Sequence, residues 1–221
     1  MQKYITAINL TKYKPITPGL RHQKNLQKNL LSKNTKIIKK LVFNLKRSVG
    51  RSQNTGRITV RRKGGGCKKR YRIINFSNNF SVGIILSTAY DSYRNAFVSL
   101  IFDLYTYSFY NKIATSQVGC GSLVGVGANF KTSYKGVRTD LTRLSLGTIF
   151  HNISNSYNHS AKFVRSAGTY GQLIQKSISC CKVRLPSNQM ITLKIQTFVT
   201  LGSVDNKNLK STILGKAGRN R

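Results

Sequence analysis

Short apolar runs separated by turn-forming residues dominate the middle of the chain. Between residues 57 and 114 a basic hairpin comes first, and strand candidates follow at 81–91 and 97–110. The stretch 37–45 is a further strand candidate for the same unit. Several short strands at this spacing predict a small barrel of about five strands. Cations and aromatic residues on one face of such strands would suit an oligonucleotide-binding (OB) barrel.

A second series of strand candidates follows between residues 115 and 200. It opens with a glycine-rich stretch at 118–129, and further candidates lie at 148–153, 180–186 and 191–202. Turns of a small barrel explain the glycines. The pattern predicts an all-β fold with an extended basic arm before the barrels and a basic tail after them. The predicted domains are 1–35 for the arm, 36–114 for the OB-like barrel, 115–200 for the second barrel and 201–221 for the tail.

Both ends of the chain are basic. The stretch 13–22 contains two prolines and a glycine, which favour extended and turning backbone over helix. Residues 23–47 are rich in Lys, Asn and Gln and bury too little to fold alone. The tail at 207–221 contains no acid. We therefore expect a partner to order both ends.

Charge narrows the choice of partner. Lysine and arginine number 38 against four acids, Asp91, Asp103, Asp140 and Asp205, which gives a formal net charge of +34. Self-repulsion of this size opposes a compact state unless counter-charge is bound. The partner must therefore be strongly anionic, and nucleic acid is the leading candidate. A membrane is less suited, because the sequence shows neither a long amphipathic helix with a cationic face nor a transmembrane segment.

The charge is densest in the stretch 54–76, NTGRITVRRKGGGCKKRYRIINF. Alternation there predicts that Ile58 and Val60 point into a core while their neighbours point outward. The glycines at 64–66 let the backbone approach a bulky partner, so that main-chain N–H groups can reach phosphates. So many cations without an acid among them indicate a polyphosphate ligand. These cations are Arg57, Arg61, Arg62, Lys63, Lys68, Lys69, Arg70 and Arg72.

Catalytic and metal-binding patterns do not emerge. Four scattered Asp, no Glu and three separated His offer no acid–base pair, and no two cysteines have zinc-ligand spacing. The stretch 119–127, GCGSLVGVG, lacks the third glycine of a dinucleotide-binding loop and is not framed by a βαβ pattern. His151 lies in an apolar strand and is expected to be packed or to face the ligand. We therefore predict that the chain is not an enzyme and binds neither a metal nor a cofactor.

Seven aromatic residues around the first barrel admit two interpretations. They can stack on nucleobases, or they can form the core of the barrel. Aromatic residues at strand spacing favour the core. The seven are Tyr71, Phe76, Tyr90, Phe97, Tyr105, Tyr107 and Phe109.

Eight stretches, taken in order, resemble the universal large-subunit ribosomal protein L-two family. The most specific is GRSQNTGRITVRRKGGGCKKRYRIINF at 50–76. The resemblance extends over nearly the whole chain from about residue 11. The other stretches are YKPITPGLRH (13–22), YDSYRNA (90–96), LGTIFHNI (146–153), RSAGTYGQLI (165–174), VRLPSNQM (183–190), TLGSVDN (200–206) and LGKAGRNR (214–221).

The resemblance implies that the second barrel is SH3-like and that the basic extensions reach into large-subunit ribosomal RNA. It implies a structural constituent of the large subunit that binds this RNA near the peptidyl-transferase region, beside neighbouring large-subunit proteins, and supports subunit assembly and translation. It also assigns RNA contacts to the eight cations of 54–76 and to further residues at other positions. These further residues are Lys14, Arg21, His22, Arg165, Lys216, Arg219 and Arg221.

The chain departs from the family pattern at three places. The family has histidine at the position of Cys67, and near 103–107 its usual Asp-Gly turn is replaced by FDLYTY. The family also continues past the AGRNR segment into a glycine- and histidine-rich HPHGGGEG loop, whereas this sequence stops at Arg221. We therefore expect a separate polypeptide to supply that segment.

The beginning of the sequence and its composition predict an organellar ribosome. The family match starts after about ten residues, which leaves no room for a cleavable targeting segment, and Lys, Asn, Ile and Tyr are abundant, as suits an A+T-rich genome. We expect a mitochondrial ribosome, with another organelle such as the plastid as the alternative. The alternative function is a free OB-type single-stranded RNA-binding or RNA-chaperone protein, which would fold and bind short oligomers by itself.

Overall fold

The computed structural model describes residues 10–28, 31–32, 40–44, 50–61, 69–76, 82–127, 134–155 and 160–219. Within these ranges the chain consists mainly of short strands and turns, which confirms the all-β fold of OB-type and SH3-like barrels. None of the helices in these ranges is long and apolar enough to cross a membrane.

The first unit is built on a four-stranded antiparallel sheet. Its strands are β5 (Val82–Ala89), β6 (Val98–Asp103), β7 (Phe109–Ile113) and β8 (Leu123–Gly125), in the order β7-β6-β5-β8. A separate ladder pairs β3 (Val42–Asn44) with β4 (Arg70–Arg72). Side chains from alternate positions of the sheet form the core, because successive residues of a strand point to opposite faces. This core contains Ile85, Ile101, Tyr110 and Val124.

β3 lies in the described part of the strand candidate at 37–45, of which 37–39 and 45 lie outside the described residues. The candidates at 81–91 and 97–110 are confirmed, with two adjustments. The aromatic run at 97–110 holds β6 and the start of β7, joined by a tight turn. Strand β8 pairs with β5 in the first sheet, whereas the predicted boundary after residue 114 assigns it to the second barrel. The glycine-rich stretch at 118–129 therefore completes the first sheet, since its Leu123–Gly125 segment supplies the strand beside β5.

The described residues of the second unit contain eight strands. They are β9 (Arg138–Asp140), β10 (Ile149–His151), β11 (Ile153–Ser154), β12 (Ala161–Phe163), β13 (Gly171–Lys176), β14 (Cys180–Arg184), β15 (Met190–Lys194) and β16 (Phe198–Leu201). Six of them form one sheet in the order β15-β14-β13-β10-β16-β9, and β11 pairs with β12. A short 3-10 helix, Leu141–Arg143, follows β9. The core includes Leu141, Phe150, Leu173, Val183 and Val199, all fully buried.

The predicted strands of this unit are also found, but 191–202 holds two strands rather than one. β15 ends at Lys194, and β16 begins at Phe198 after a turn closed by the Thr197 amide on the carbonyl of Lys194 at 3.0 Å. The turn lets β15 pair with β14 while β16 crosses to β9 and β10.

The arm and the tail fold against each other. The arm forms β1 (Leu10–Lys12), the helical turn α1 (Pro18–Arg21) and β2 (Lys24–Leu26), with β1 and β2 paired. The tail contains 3-10 helices at Lys207–Ser211 and Ala217–Arg219. The expectation that 13–22 favours extended and turning backbone over helix is wrong for α1, because Pro18 occupies its first turn, where proline is tolerated and presets the backbone angle.

The two barrels are joined by the segment 200–206. The amide of Ser116 donates to the carbonyl of Ser203 at 2.9 Å, and the amide of Asp205 donates to the carbonyl of Ala114 at 3.0 Å. Val204 is fully buried in a hydrophobic cluster of the first barrel. Residues 201–206 therefore belong to the joint between the barrels, although the predicted boundary places them in the tail.

His151 is buried at this joint. Its Nδ1 lies 3.0 Å from the carbonyl of Gly202, and its Nε2 lies 3.3 Å from the hydroxyl of Thr115. Because a carbonyl only accepts, Nδ1 carries a proton, and in the neutral ring Nε2 then accepts from the hydroxyl. The pKa of His151 is lowered to about 4, mainly by burial and also by the nearby cations Arg138 and Lys112, against the hydrogen bond to Gly202, which raises it, so the ring is neutral near pH 7. The expectation of a packed histidine is confirmed.

This histidine should make the stability of the joint depend on pH. In the unfolded chain His151 is protonated below its ordinary pKa of 6.5, whereas in the folded chain it stays neutral down to about pH 4. The free energy of unfolding therefore falls as pH falls through this window. The pKa difference corresponds to about 3 kcal/mol. We expect denaturant unfolding between pH 7 and pH 4 to show this loss in the native protein.

The His151→Gln variant removes the titrating group and keeps a donor and an acceptor. Between pH 7 and pH 4, the free energy of unfolding of this variant should decrease by about 3 kcal/mol less than that of the native protein. Identical pH profiles for the two proteins would contradict a neutral His151 in the folded state.

Candidate nucleic-acid interface

Strand β4 presents the predicted cations Arg70 and Arg72, and one buried acid holds it in place. Asp91 is completely buried, and its Oδ2 accepts a hydrogen bond from Arg94 Nη1 at 2.6 Å. Arg72 Nη1 lies 4.0 Å from Oδ1 of the same carboxylate. The backbone amide of Tyr93 also donates to Asp91, at 3.0 Å. The carboxylate therefore fixes the 90–96 loop against β4.

Arg94 connects this carboxylate to the backbone and the ring of β4. Its Nη1 donates to the carbonyl of Arg72 at 3.1 Å, and its Nη2 donates to the hydroxyl of Tyr71 at 2.9 Å. The guanidinium carbon lies 4.9 Å from the Tyr71 ring centroid, and Tyr93 meets the same ring edge-on at 5.4 Å. The planar fork of arginine makes these simultaneous contacts possible.

Arg94 is not among the contact residues predicted from the sequence. The signal that could have found it is Asp91, one of only four acids in the chain, placed three residues before an arginine. In so basic a chain, an acid beside an arginine indicates a structural ion pair that organises the cations around it.

The cluster around Asp91 keeps an excess of positive charge. Arg70, Arg72 and Arg94 contribute three cations against one carboxylate, which leaves a formal +2. Burial lowers the pKa of Arg72, Asp91 raises it, and Arg70 and Arg94 lower it. Mutual repulsion of cations at this range is relieved when an anion binds among them.

Arg165 of the second barrel lies close to the cluster around Asp91. Its guanidinium carbon lies 5.0 Å from the ring centroid of Phe76, which belongs to the first barrel. Next to this contact is a cavity of about 410 Å³ lined by both barrels. The lining residues that carry charge or rings are Tyr71, Phe76, Arg94 and Arg165.

The loop that carries Arg165 is held by the joint between the barrels. The amide of Gly168 donates to the carbonyl of Asp205 at 3.1 Å, and the amide of Val204 donates to the carbonyl of Thr169 at 3.0 Å. Gly168 has φ +69°, and a Cβ there would lie 3.0 Å from Cα of Lys207, so glycine is required. The segment that joins the barrels thus also positions Arg165.

Residues 50–61 form a compact loop that exposes Arg57 and Arg61. The prediction that Ile58 and Val60 point into a core is wrong, because 59% of Ile58 is exposed and Val60 is exposed as well. The reason lies in the backbone. The amides of Thr59 and Val60 both donate to the carbonyl of Gly50, at 2.9 and 3.0 Å, so this part of the loop closes on itself.

Predicted contact residues of the arm and tail come together in a second basic surface. Lys24 and Ile213 exchange two backbone hydrogen bonds of 3.0 Å, which join β2 to the tail. Lys216 lies beside Gly19 of α1, so an added Cβ at Gly19 would lie 3.6 Å from its Cδ. We call this region the arm–tail surface. Its exposed predicted residues are Lys14, Arg21, His22, Lys216 and Arg219.

Several predicted features fall outside the described residues. They are the contact residues Arg62, Lys63, Lys68 and Arg221, the glycines at 64–66, and Cys67. Lys69 is described and exposed beside Arg70. Within the described ranges, no group of three His, Cys, Asp or Glu side chains has the arrangement of a metal site.

The aromatic residues of the first barrel do not form its core as a group. Phe97 is buried, and Tyr71 and Phe76 are half-buried beside the cavity. The preference for the core is wrong for the exposed residues Tyr90, Tyr105, Tyr107 and Phe109. Tyr90 carries Lys28 over its ring, with Nζ 4.0 Å from the centroid. The others lie at or beside the turn between β6 and β7.

We expect Arg94→Lys to lower the free energy of unfolding by about 1–3 kcal/mol, because lysine keeps the charge but cannot make the fork of contacts to Asp91, Arg72 and Tyr71. The matched control is Arg143→Lys at an exposed arginine, which should change stability by less than about 0.5 kcal/mol. Chemical denaturation at fixed ionic strength measures both. Equal effects would show that Arg94 does not organise the cluster.

A second test concerns the arm–tail surface. Gly215 has φ +84°, and a Cβ there would lie 2.2 Å from the carbonyl oxygen of Gly19. Gly215→Ala should therefore separate tail from arm and speed amide hydrogen exchange at Lys24 and Ile213 by about tenfold or more. Gly218→Ala is the control, since a Cβ there meets nothing within 4 Å. Unchanged exchange in Gly215→Ala would contradict the packing of tail on arm.

Comparison with known proteins assigns the family. The model of the Ribosomal Proteins L2, RNA binding N-terminal domain matches residues 38–125, and that of the Ribosomal Proteins L2, C-terminal domain matches 134–221. Large ribosomal subunit protein uL2m of Reclinomonas americana is 38% identical over 218 residues, which cover 96% of this chain and 76% of that protein. Large ribosomal subunit protein uL2 of Amoebophilus asiaticus is 37% identical over 212 residues, 95% of this chain and 76% of that protein. These matches show that the chain belongs to the L2 family of large-ribosomal-subunit proteins.

Proposed function

We propose that this protein is a structural constituent of the large ribosomal subunit that binds and stabilises large-subunit rRNA near the peptidyl-transferase region and supports subunit assembly and translation. The observation that carries the RNA-binding part is the cavity between the barrels, where Arg94 and Arg165 meet the rings of Tyr71 and Phe76. The region of the rRNA and the role in assembly follow from the family resemblance. The role is structural and not catalytic.

The cavity combines the two kinds of group that bind unstacked nucleotides. Guanidinium planes bind phosphates bidentately and stack on bases, and aromatic rings stack on bases of any identity. The side chains of Tyr71 and Arg94 are already ordered by Asp91, so less entropy is lost when RNA orders the site. A nucleotide extruded from a folded RNA is therefore the ligand that this cavity suits.

The exposed cations around the cavity supply affinity that does not depend on sequence. Lys69 and Arg70 continue β4 outward, and Arg57 and Arg61 extend from the loop before it. Each cation that neutralises a phosphate releases condensed counterions, so binding weakens as salt rises. The arm–tail surface contributes further cations, and we propose that it contacts the same RNA at a second place.

We propose a mitochondrial ribosome as the location, with another organelle such as the plastid as the alternative. The similarity to the mitochondrial uL2m of R. americana supports this, while uL2 proteins of bacteria are similar to nearly the same degree. Neighbouring large-subunit proteins are the expected protein partners. The separate polypeptide that would supply the glycine- and histidine-rich segment stays a prediction from the sequence.

The test measures rRNA binding as a function of salt. The Lys69→Gln/Arg70→Gln variant should bind rRNA more weakly, and the log–log salt slope should fall by about 0.7–0.9 for each lost contact. The charge-matched control is Lys182→Gln/Lys194→Gln, two exposed lysines on β14 and β15, which should change the slope less. Identical slopes for the two variants would contradict the proposed RNA contacts of Lys69 and Arg70.

Sedimentation distinguishes the ribosomal role from the alternative. The native protein should be recovered from mitochondria in the large-subunit peak of a gradient and should leave it only when the rRNA is digested. Recovery as a free protein that binds short single-stranded RNA would instead support the free OB-type RNA-binding or RNA-chaperone function.

A further inference from the structure

The four-stranded sheet of the first barrel differs from the rest of the chain in charge. Residues 82–127 contain two cations, Arg94 and Lys112, and two acids, Asp91 and Asp103, so their formal charges cancel. The net charge of +34 is therefore carried by the other residues. Because affinity for RNA comes largely from cations that neutralise phosphates, a neutral surface on this sheet suits another kind of partner.

An apolar row crosses this sheet on one face. Ladder pairing places Phe109 opposite Phe102, Phe102 opposite Ile84, and Ile84 opposite Leu123. Residues next to these along the strands form the buried core, and side chains alternate between the two faces of a sheet. The apolar row (Phe109, Phe102, Ile84 and Leu123) therefore lies on the face that points away from the core.

The row is accessible at both of its ends. Phe109 is 41% exposed and Leu123 is 56% exposed, while Phe102 and Ile84 between them are half-buried. The rings of Phe102 and Phe109 pack with centroids 5.1 Å apart. Tyr107 extends the ring contacts, with its centroid 6.3 Å from that of Phe102. The row and the adjoining turn thus form one contiguous apolar surface.

The turn between β6 and β7 holds two tyrosines out from this surface. Tyr105 is 80% exposed and Tyr107 is 77% exposed. Asp103 accepts hydrogen bonds from the amide of Tyr105 at 3.0 Å and from the hydroxyl of Thr106 at 2.9 Å, which fixes the turn. Tyr107 has φ 52°, a left-handed conformation that costs a non-glycine residue about 1 kcal/mol. The tyrosines are therefore presented by a fixed turn rather than by a loose loop.

We propose that this face, the apolar row together with Tyr105 and Tyr107, docks an uncharged apolar surface of another protein of the large subunit. Tyrosine and phenylalanine are enriched and lysine is depleted at the centres of protein–protein interfaces, which is the composition found here. A second copy of this chain is opposed by repulsion between two molecules of charge +34. Single-stranded RNA would need a cationic groove beside the rings, and residues 95–111 contain no cation.

Photocrosslinking in the assembled particle tests the docking face. Tyr105→p-benzoylphenylalanine protein is assembled into large subunits, which are purified by sedimentation and irradiated. The expected product is one protein–protein adduct that resists ribonuclease, with a partner peptide of apolar sequence identified by mass spectrometry. The same probe at Ile178, which is 99% exposed in the second barrel, is the control and should not give this adduct.

Each other result overturns the inference. An adduct lost on ribonuclease treatment would identify RNA as the occupant, and an adduct between two copies of this chain would identify self-association. The same adduct from position 178 would show that the contact is not specific, and no adduct would show that the face is free. The inference rests on the proposed function, so absence of the protein from large subunits would overturn both. Presence in the subunit with an RNA adduct at Tyr105 would overturn this inference alone.

A pair of variants separates docking from RNA binding. Tyr105→Ser/Leu123→Ser should leave rRNA affinity and its salt slope unchanged, because no cation is altered. It should weaken association with the crosslinked partner by about tenfold or more, as removal of an interface anchor does. The matched control, Ile178→Ser/Met190→Ser, changes two exposed apolar residues of the second barrel and should alter neither. Unchanged partner association in the first variant would overturn the proposal.

Discussion

Repulsion among like charges is the constraint on which this fold depends. With four acids against 38 cations, most lysines and arginines have no carboxylate to pair with. Asp91 lies where the density of cations is high. It is completely buried and forms ion pairs with Arg72 and Arg94. Removing one such partner would leave buried positive charge uncompensated, which costs more than an exposed ion pair ever contributes. Predicted contact residues such as Arg70, Arg57 and Lys216 are exposed instead, where water screens them and RNA can reach them.

The same constraint separates the protein into surfaces of different character. β4, the 50–61 loop and the arm–tail surface carry unbalanced cations, and the four-stranded sheet carries none in excess. The proposed RNA contacts and the proposed protein contact therefore lie on surfaces of different charge. Two of the four acids in the sequence fix these surfaces: Asp91 holds β4, and Asp103 holds the turn that carries Tyr105 and Tyr107.

Features with a local cause could be predicted from the sequence, and features set by distant contacts could not. The strands at 82–89 and 180–184 follow from apolar alternation, and the basic stretch at 54–76 is visible as composition. Ile58 and Val60 have the same alternation, but in the described part of the chain Ile58 pairs with Arg51 in an isolated bridge rather than in a sheet, and both side chains are exposed. Whether an aromatic residue is buried depends in the same way on whether another element covers its face of the sheet. The periodicity of the sequence does not show which face is covered.

The site shows the same limit. Lys69 and Arg70 are predicted contact residues from charge alone, and Arg165 from the family resemblance. The role of Arg94 could not be predicted from the local sequence, because it depends on three contacts. Two of them are to β4, more than twenty residues away in the sequence. The fold of the arm was missed for the same reason, because α1 and β2 are held by the tail almost two hundred residues later.

The joint at 200–206 has a consequence for the order in which the protein matures. During synthesis the core of the first barrel can begin to close early, but Val204, which completes the cluster around Ile74 and Ile113, is made only after the strands of both barrels. The loop that carries Arg165 is hydrogen-bonded to Val204 and Asp205, so the contact of Arg165 with Phe76 depends on the same late segment. A chain that ends before Val204 therefore carries most of the positive charge but lacks the segment that joins the two barrels.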